Sequence, residues 1–247
     1  MEDLLRIKII LESPKSIVLQ VGFNSIIQWF IYSNIKDSWL HDIGFKYEKR
    51  QFKLFSFSSF LEKAQFINEK KLFIFPKIVS FIFSSPVDWI IENLASKSFT
   101  TKKISFWQNE LYLSEVSVLK PPQITQNEIK IRAITPIEVH STFQIYKQKK
   151  TYYYNPYEKE FSLLIANNAA KKWEAFYKKP PESELKLEPI GFNKEKIVRF
   201  GSKNSLIIKG WTGNFKLLAD SKMLGFIIDA GLGNRNSQGF GMVEVIQ

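Results

Sequence analysis

A chain of 247 residues suits one large domain or two small ones, and a hydrophobic content of 45% is enough for real cores. Lys and Arg number 35 against 24 Asp and Glu, a net charge of +11 spread over both halves, which points to an anionic polymer or a membrane surface as partner. The lack of cysteine excludes disulfides and thiolate metal sites, the presence of only His41 and His140 argues against a conventional zinc site, and no apolar run approaches the ~20 residues of a membrane helix.

Part of the charge is compositional drift, since Lys, Ile, Asn and Phe are all abundant. The start, Met1-Glu2-Asp3-Leu4, is acidic and lacks the basic region of a signal peptide, so a soluble cytoplasmic protein is expected. From Leu4 to Leu11, basic Arg6 and Lys8 alternate with Leu5, Ile7 and Ile9, which predicts a strand. Asn24 to about Ile35 has helical spacing at Ile26, Ile27, Phe30 and Ile31. Trp39-Leu40 continues apolar packing up to His41, and residues 45–57 read as an aromatic hairpin. Leu72–Phe75 and Val79–Phe83 are strands, and Ser85-Pro86 starts a helix over Val87–Ser96 that buries Trp89, Ile90 and Leu94. Ile104–Leu119 is a strand pair, and Pro121-Pro122 marks a boundary.

The second half repeats the order of elements, though not the letters. Glu128–Ile134 is a strand and Phe143–Tyr154 a hairpin. A helix starts at Asn155-Pro156 and runs to about Tyr177, with Phe161, Leu164, Ile165, Ala169, Trp173 and Phe176 on one face. Leu185–Ile190, Ile197–Phe200 and Leu206–Trp211 are strands, and Phe215–Ala219 leads into a last helix. This order fits an α+β chain of two tandem ferredoxin-like (RNA-recognition-type) domains, residues 1–120 and 121–247.

The chain is organised around Gly231-Leu232-Gly233-Asn234-Arg235-Asn236-Ser237-Gln238-Gly239-Phe240-Gly241, which holds four of its eleven glycines. Asp220 or Ser221 caps the preceding helix, and Gly231 takes the left-handed position after it. Such a loop lets backbone N–H groups converge on an anion, with donors added by Arg235, Asn236, Ser237 and Gln238. The plain alternative is a long turn that only reverses the chain.

With Met242-Val243 this stretch resembles the signature of the CRISPR-associated endoribonucleases that cut precursor CRISPR RNA within its repeats, members of the RAMP superfamily. A second block, Trp39-Leu40-His41-Asp42-Ile43-Gly44-Phe45 with Phe52-Lys53-Leu54-Phe55-Ser56-Phe57-Ser58, resembles the same family's N-terminal segments. The two blocks bracket most of the chain. The resemblance implies cleavage by 2′-OH attack without a metal or cofactor, leaving a 2′,3′-cyclic phosphate and a 5′-OH. It implies precursor CRISPR RNA as partner, and leaves open a homodimer and attachment to a CRISPR effector complex. A different reading is a non-cutting RNA-binding subunit of such a complex.

A metal-free cut needs a base for the 2′-OH, an acid for the leaving oxygen and a cation for the phosphorane. His41, with an ordinary pKa near ~6.5, suits proton transfer. On residues alone, a single His beside an apolar pair is more often packed than catalytic; the resemblance makes His41 the catalytic group, with a helical Tyr and a nearby Lys. Tyr32 is the nearest such Tyr, and reads equally as a core residue; Tyr47 is another. The Lys is Lys49, with Lys46 and Lys53 as alternatives. Asp42 reads as solvated and His140 as structural. Expected RNA contacts are Lys46, Arg50, Lys53, Gly231, Gly233, Asn234, Arg235, Asn236, Ser237, Gly239 and Gly241. The stretch Tyr146 to Tyr154, including Lys147, Lys149 and Lys150, reads equally as RNA platform and solvated hairpin. Lys171-Lys172 and Lys178-Lys179 read as a wet helix face, and Lys194, Lys196, Arg199 and Lys203 as loop cations along the RNA path.

Overall fold

Ile7, Ile9 and Leu11 point one way from the first strand and are fully buried, so this strand becomes the spine of the first half. The computed structural model describes residues 6–35, 38–100, 103–120, 123–146, 148–201 and 206–246. Leu4, Leu5, Pro121-Pro122, Lys147 and Lys203 lie outside them.

In chain order the first half comprises β1 (Arg6–Glu12), β2 (Ile17–Gln20), α1 (Asn24–Asn34), α2 (Ser38–Asp42), β3 (Phe45–Tyr47), β4 (Arg50–Phe52), β5 (Ser56–Phe57), β6 (Gln65–Ile67), β7 (Leu72–Phe75), β8 (Ile78–Ser84), α3 (Asp88–Thr100), β9 (Ile104–Phe106) and β10 (Asn109–Leu119). Five strands form an antiparallel sheet in the order β5-β8-β1-β10-β9. Ile27, Phe30 and Ile31 of α1 and Ile90, Ile91 and Leu94 of α3 are buried in the core of this half. The predicted 45–57 hairpin is shorter than expected: β3 pairs with β4, whereas β5 joins the main sheet beside β8. The Ser85 hydroxyl accepts from Val87 N–H and donates to Leu54 O, so it also ties the α3 start to the chain below His41. Trp89 is only half-buried, stacking obliquely on Trp39 at 6.4 Å.

The second half comprises β11 (Glu128–Ala133), β12 (His140–Ile145), β13 (Gln148–Tyr153), α4 (Lys159–Tyr177), β14 (Lys186–Phe200), β15 (Leu206–Leu218), α5 (Ser221–Ala230), a single 3₁₀ turn (Asn236–Gln238) and β16 (Val243–Ile246). Its antiparallel sheet runs β14-β15-β11-β16. Two expectations change here. The helix start moves from Asn155-Pro156 to Lys159, because Asn155 closes a turn by accepting from Tyr157 N–H while Glu158 accepts from Asn155 N–H. The three predicted strands are two long ones, β14 running through a register shift between Ile190 and Lys194 and β15 continuing to Leu218. Lys194, Lys196 and Arg199 therefore stand on β14 and not in a loop.

All of α5 from Met223 to Ala230 is buried, which is why its sequence is apolar all round. One side meets α4, where Phe226 packs against Trp173 and Phe176, and the other meets the first half. There Arg6 Nε pairs with Asp229 Oδ1 at 3.1 Å, while its two terminal nitrogens donate to Val243 O (2.7 Å) and Ile228 O (2.9 Å). Ser84 Oγ donates to Asp229 O at 2.8 Å. Burial lifts the Asp229 carboxyl from 3.8 to about 6, against the pull of Arg6. A folded value above the unfolded one means this group's contribution is complete below 3.8 and lost as pH rises through about 6. Arg6→Ala is therefore expected to cost about 3–5 kcal/mol at pH 8, where it strands a buried carboxylate, and clearly less at pH 5. Melting of both proteins at the two pH values checks this; an equal loss at both would contradict it.

Candidate active site and Gly-rich loop

His41 lies inside the short helix α2. The helix ends when Ile43 and Gly44 N–H both bond Trp39 O at 2.8 Å. Gly44 has φ +63°, and a Cβ there would stand 2.5 Å from Phe52 O, so only glycine allows the chain to double back this tightly. The doubling places Lys53 beside the histidine: Lys53 Nζ donates to His41 O at 2.6 Å. Burial lowers the Lys53 ammonium, with Asp42 opposing. Asp42 is not merely solvated, since its Oδ1 is 2.7 Å from His41 Nδ1. This contact fixes the ring through Nδ1 and leaves Nε2 to a substrate; the His41 side chain is 65% exposed.

Tyr32, one turn along α1 from Gln28, presents its ring edge-on to His41, with centroids 4.9 Å apart at 84°. Phe55 backs it at 5.6 Å. Burial pushes the phenol up to about 12, and a hydrogen bond with the Ser237 side chain opposes the rise. Ser237 is further held by Gln28 Nε2, which donates to its carbonyl at 2.6 Å. Of the expected lysines, Lys49 sits at the exposed tip between β3 and β4, roughly 10 Å of strand away from the base where Lys53 lies. Among the described residues it has no hydrogen bond or ion pair to His41. Lys46 is exposed on β3, and Tyr47 lies in the field of Glu174 on α4, which raises its phenol.

The Gly-rich loop differs from the anion cradle expected of it. The N–H groups of Gly231, Leu232, Asn234, Gly239 and Gly241 bond to Ile227, Gly241, Glu138, Asn236 and Pro136 carbonyls. The glycines serve close packing: a Cβ on Gly241 would lie 1.9 Å from Leu232 O, and one on Gly233 would lie 2.4 Å from Glu138 O. Gly231 has positive φ (85°) but an extended ψ of 149°, outside the left-handed helical region. Asn236 Nδ2 donates to Leu232 and Phe240 carbonyls, stitching the loop across itself.

Lys172 is the residue the sequence reading misplaced. It is 3% exposed and donates to Gly231 O (2.7 Å), Gly233 O (3.0 Å) and Asn236 Oδ1 (2.6 Å). Burial draws it from 10.5 down to about 7, yet three acceptors in reach take one hydrogen each from the charged form. Its spacing carried the signal, because it falls seven residues after Ile165 on the buried stripe of α4. Between the loop, α4 and residues 50–55 runs a groove of about 260 Å³, whose wall includes Arg50, Lys53, Asn234, Arg235 and Ser237. Among the described residues, no three His, Asp or Glu side chains come together as a metal cage.

The mixed α/β architecture of largely antiparallel sheets is shared with solved Cas6-related and RAMP proteins. A solved RAMP protein described as binding different RNA substrates superimposes with a TM-score of 0.82 at 18% identity, over 98% of this chain and 100% of that one. A solved Cas6-related protein from Pyrococcus furiosus gives 0.83 at 21% identity over 98% of both. These likenesses show the fold. The family described as "CRISPR associated protein Cas6, C-terminal" matches residues 119–245. The CRISPR-associated endoribonuclease Cas6 of P. furiosus is 30% identical over 220 residues, 89% of this chain and 80% of the relative. The endoribonuclease Cas6 1 of Methanocaldococcus jannaschii is 25% identical over 100% of this chain and 95% of its own length. The chain belongs to the Cas6 family of CRISPR-associated endoribonucleases.

Proposed function

We propose that the protein cuts precursor CRISPR RNA within its repeats, using the 2′-OH beside the scissile phosphate as nucleophile and leaving a 2′,3′-cyclic phosphate and a 5′-OH. The observation that carries this is the meeting of Tyr32, His41 and Lys53 at one rim of a basic groove. His41 Nε2 takes the 2′-OH proton, its ring fixed by Asp42 through Nδ1. Tyr32, at about 12, keeps its proton at neutral pH and so is the acid that gives it to the leaving 5′ oxygen. Lys53, and not Lys49, supplies the positive charge for the phosphorane. These three groups meet the chemical needs of the step, so no metal ion is called for.

The proposal takes each half as a ferredoxin-like unit. The strand orders β5-β8-β1-β10 and β14-β15-β11-β16 support it, each placing its unit's first strand between the third and the last. The division falls at residues 121–122, close to where the family match begins. The proposal includes a cytoplasmic protein bound to repeat RNA, with room for a homodimer or attachment to an effector complex.

The lysine assignment is tested by rate. Lys53→Ala is expected to slow single-turnover cleavage of repeat RNA in EDTA about 10²–10³-fold. Lys49→Ala should stay within a few-fold of wild type. The reverse ranking would return the role to Lys49.

A further inference from the structure

A second group of charged side chains gathers against the Gly-rich loop. Its centre is Glu138, whose side chain is fully buried while its backbone carbonyl accepts from Asn234 N–H at 2.8 Å. One carboxylate oxygen bonds His140 Nδ1, and the other faces Arg235 Nε at 3.7 Å. Among the described residues, neither that oxygen nor Arg235 Nε has a hydrogen-bond partner. His140, read from the sequence as structural, has a side chain that is 23% exposed. Because Nδ1 is held by the carboxylate, Nε2 is the polar atom it offers outward. Tyr153 walls the imidazole at 5.8 Å, its own hydroxyl donating to Ile207 O. Arg235 spends one terminal nitrogen on Gln238 Oε1 and lines the groove beside Arg50 and Lys53.

The sign of this arrangement is decisive. The one carboxylate is turned inward between His140 and Arg235, so the cluster offers the imidazole Nε2 and guanidinium hydrogens outward and no acidic oxygen. A guanidinium beside an imidazole backed by a buried carboxylate fits an oxyanion. An anion at Nε2 favours the imidazolium, which then bridges Glu138 on one side and the anion on the other. His140 also begins β12 and pairs with Tyr153, so Thr151 and Lys149 of β13 share its face of the hairpin, Lys149 about 13 Å further along. We propose that His140 and Arg235, seated on Glu138, form a phosphate-binding subsite that holds the RNA backbone away from the cut and leads it onto the β12–β13 hairpin. This rests on the RNA-cutting reading above, and adds a binding role with no part in the chemical step.

The test uses the full chain with His41→Ala in the background, so that repeat RNA is bound without being consumed. His140 is then the only histidine, and its imidazole resonances are unambiguous. Saturating repeat RNA should move them to the imidazolium position. Separately, H140Q and R235Q should each weaken RNA binding about tenfold and each take roughly 0.7 from the slope of log K against log salt. With His41 restored, H140Q at saturating RNA should cut at the wild-type rate. Imidazole resonances that stay put while RNA is demonstrably bound would overturn the subsite, as would unchanged affinity and slope in folded variants, and leave the cutting reading intact. Failure of the background protein to bind repeat RNA at all would instead count against that reading. The resonance measurement needs no change at the subsite itself, so it decides even if H140Q or R235Q folds poorly.

Discussion

His41→Ala is expected to slow cleavage of repeat RNA by about 10²–10⁴-fold while leaving RNA binding nearly unchanged. The size follows from the role: a positioned base contributes that much to a proton transfer, and nothing else at this rim can replace it. Tyr32 holds its proton to about 12, and burial of Lys53 still leaves it a donor to His41 O. The split between rate and binding follows from position. The His41 side chain is exposed, and its polar contact on the ring is with neighbouring Asp42, so its loss leaves the fold and groove in place. Single-turnover rates and binding curves for the two proteins check this. Comparable loss of binding would recast His41 as a binding residue, and full activity would remove it from the mechanism.

Lys172→Met is expected to lower stability by about 3–5 kcal/mol, roughly 10 °C in melting temperature for a chain of this size. Methionine keeps the apolar stem, so the loss isolates the ammonium. Three acceptors, Gly231 O, Gly233 O and Asn236 Oδ1, are left buried with no donor. The effect should also reach the active site. Asn236 precedes Ser237, and Ser237 holds both Tyr32 and Gln28. Cleavage by the variant, measured well below its melting point, should therefore fall further than its folded fraction explains. A melting point within two degrees of wild type would show that the loop does not depend on this lysine.

The parts of this site that the sequence discloses are those fixed locally. Helical spacing puts Tyr32 on α1, and the Trp39–Phe45 block carries His41 through family resemblance. Lys53 was one of three candidates because hairpin register is not written in composition: it depends on the positive φ of Gly44 (63°) and of Glu48 (49°) at the turn. The Gly-rich stretch is legible in the sequence, but the use of its glycines is not. Glycine allows backbone to approach a ligand and equally allows backbone to approach backbone, and only the distance from Gly241 to Leu232 O separates the two. Lys172 was hidden by its type. A lysine beside Lys171 reads as solvated unless the stripe through Ile165 and Ala169 is followed past it. Glu138 and His140 were hidden because their partner Arg235 is about a hundred residues away in the chain.

The most direct test of the account is the chemistry of the ends. Repeat RNA cut by the wild-type protein in EDTA should yield a single break with a 2′,3′-cyclic phosphate on one side and a 5′-OH on the other, and a 2′-deoxy nucleotide before the scissile phosphate should block it. A 3′-OH with a 5′-phosphate, or cleavage that survives the 2′-deoxy substitution, would contradict the mechanism built on Tyr32, His41 and Lys53.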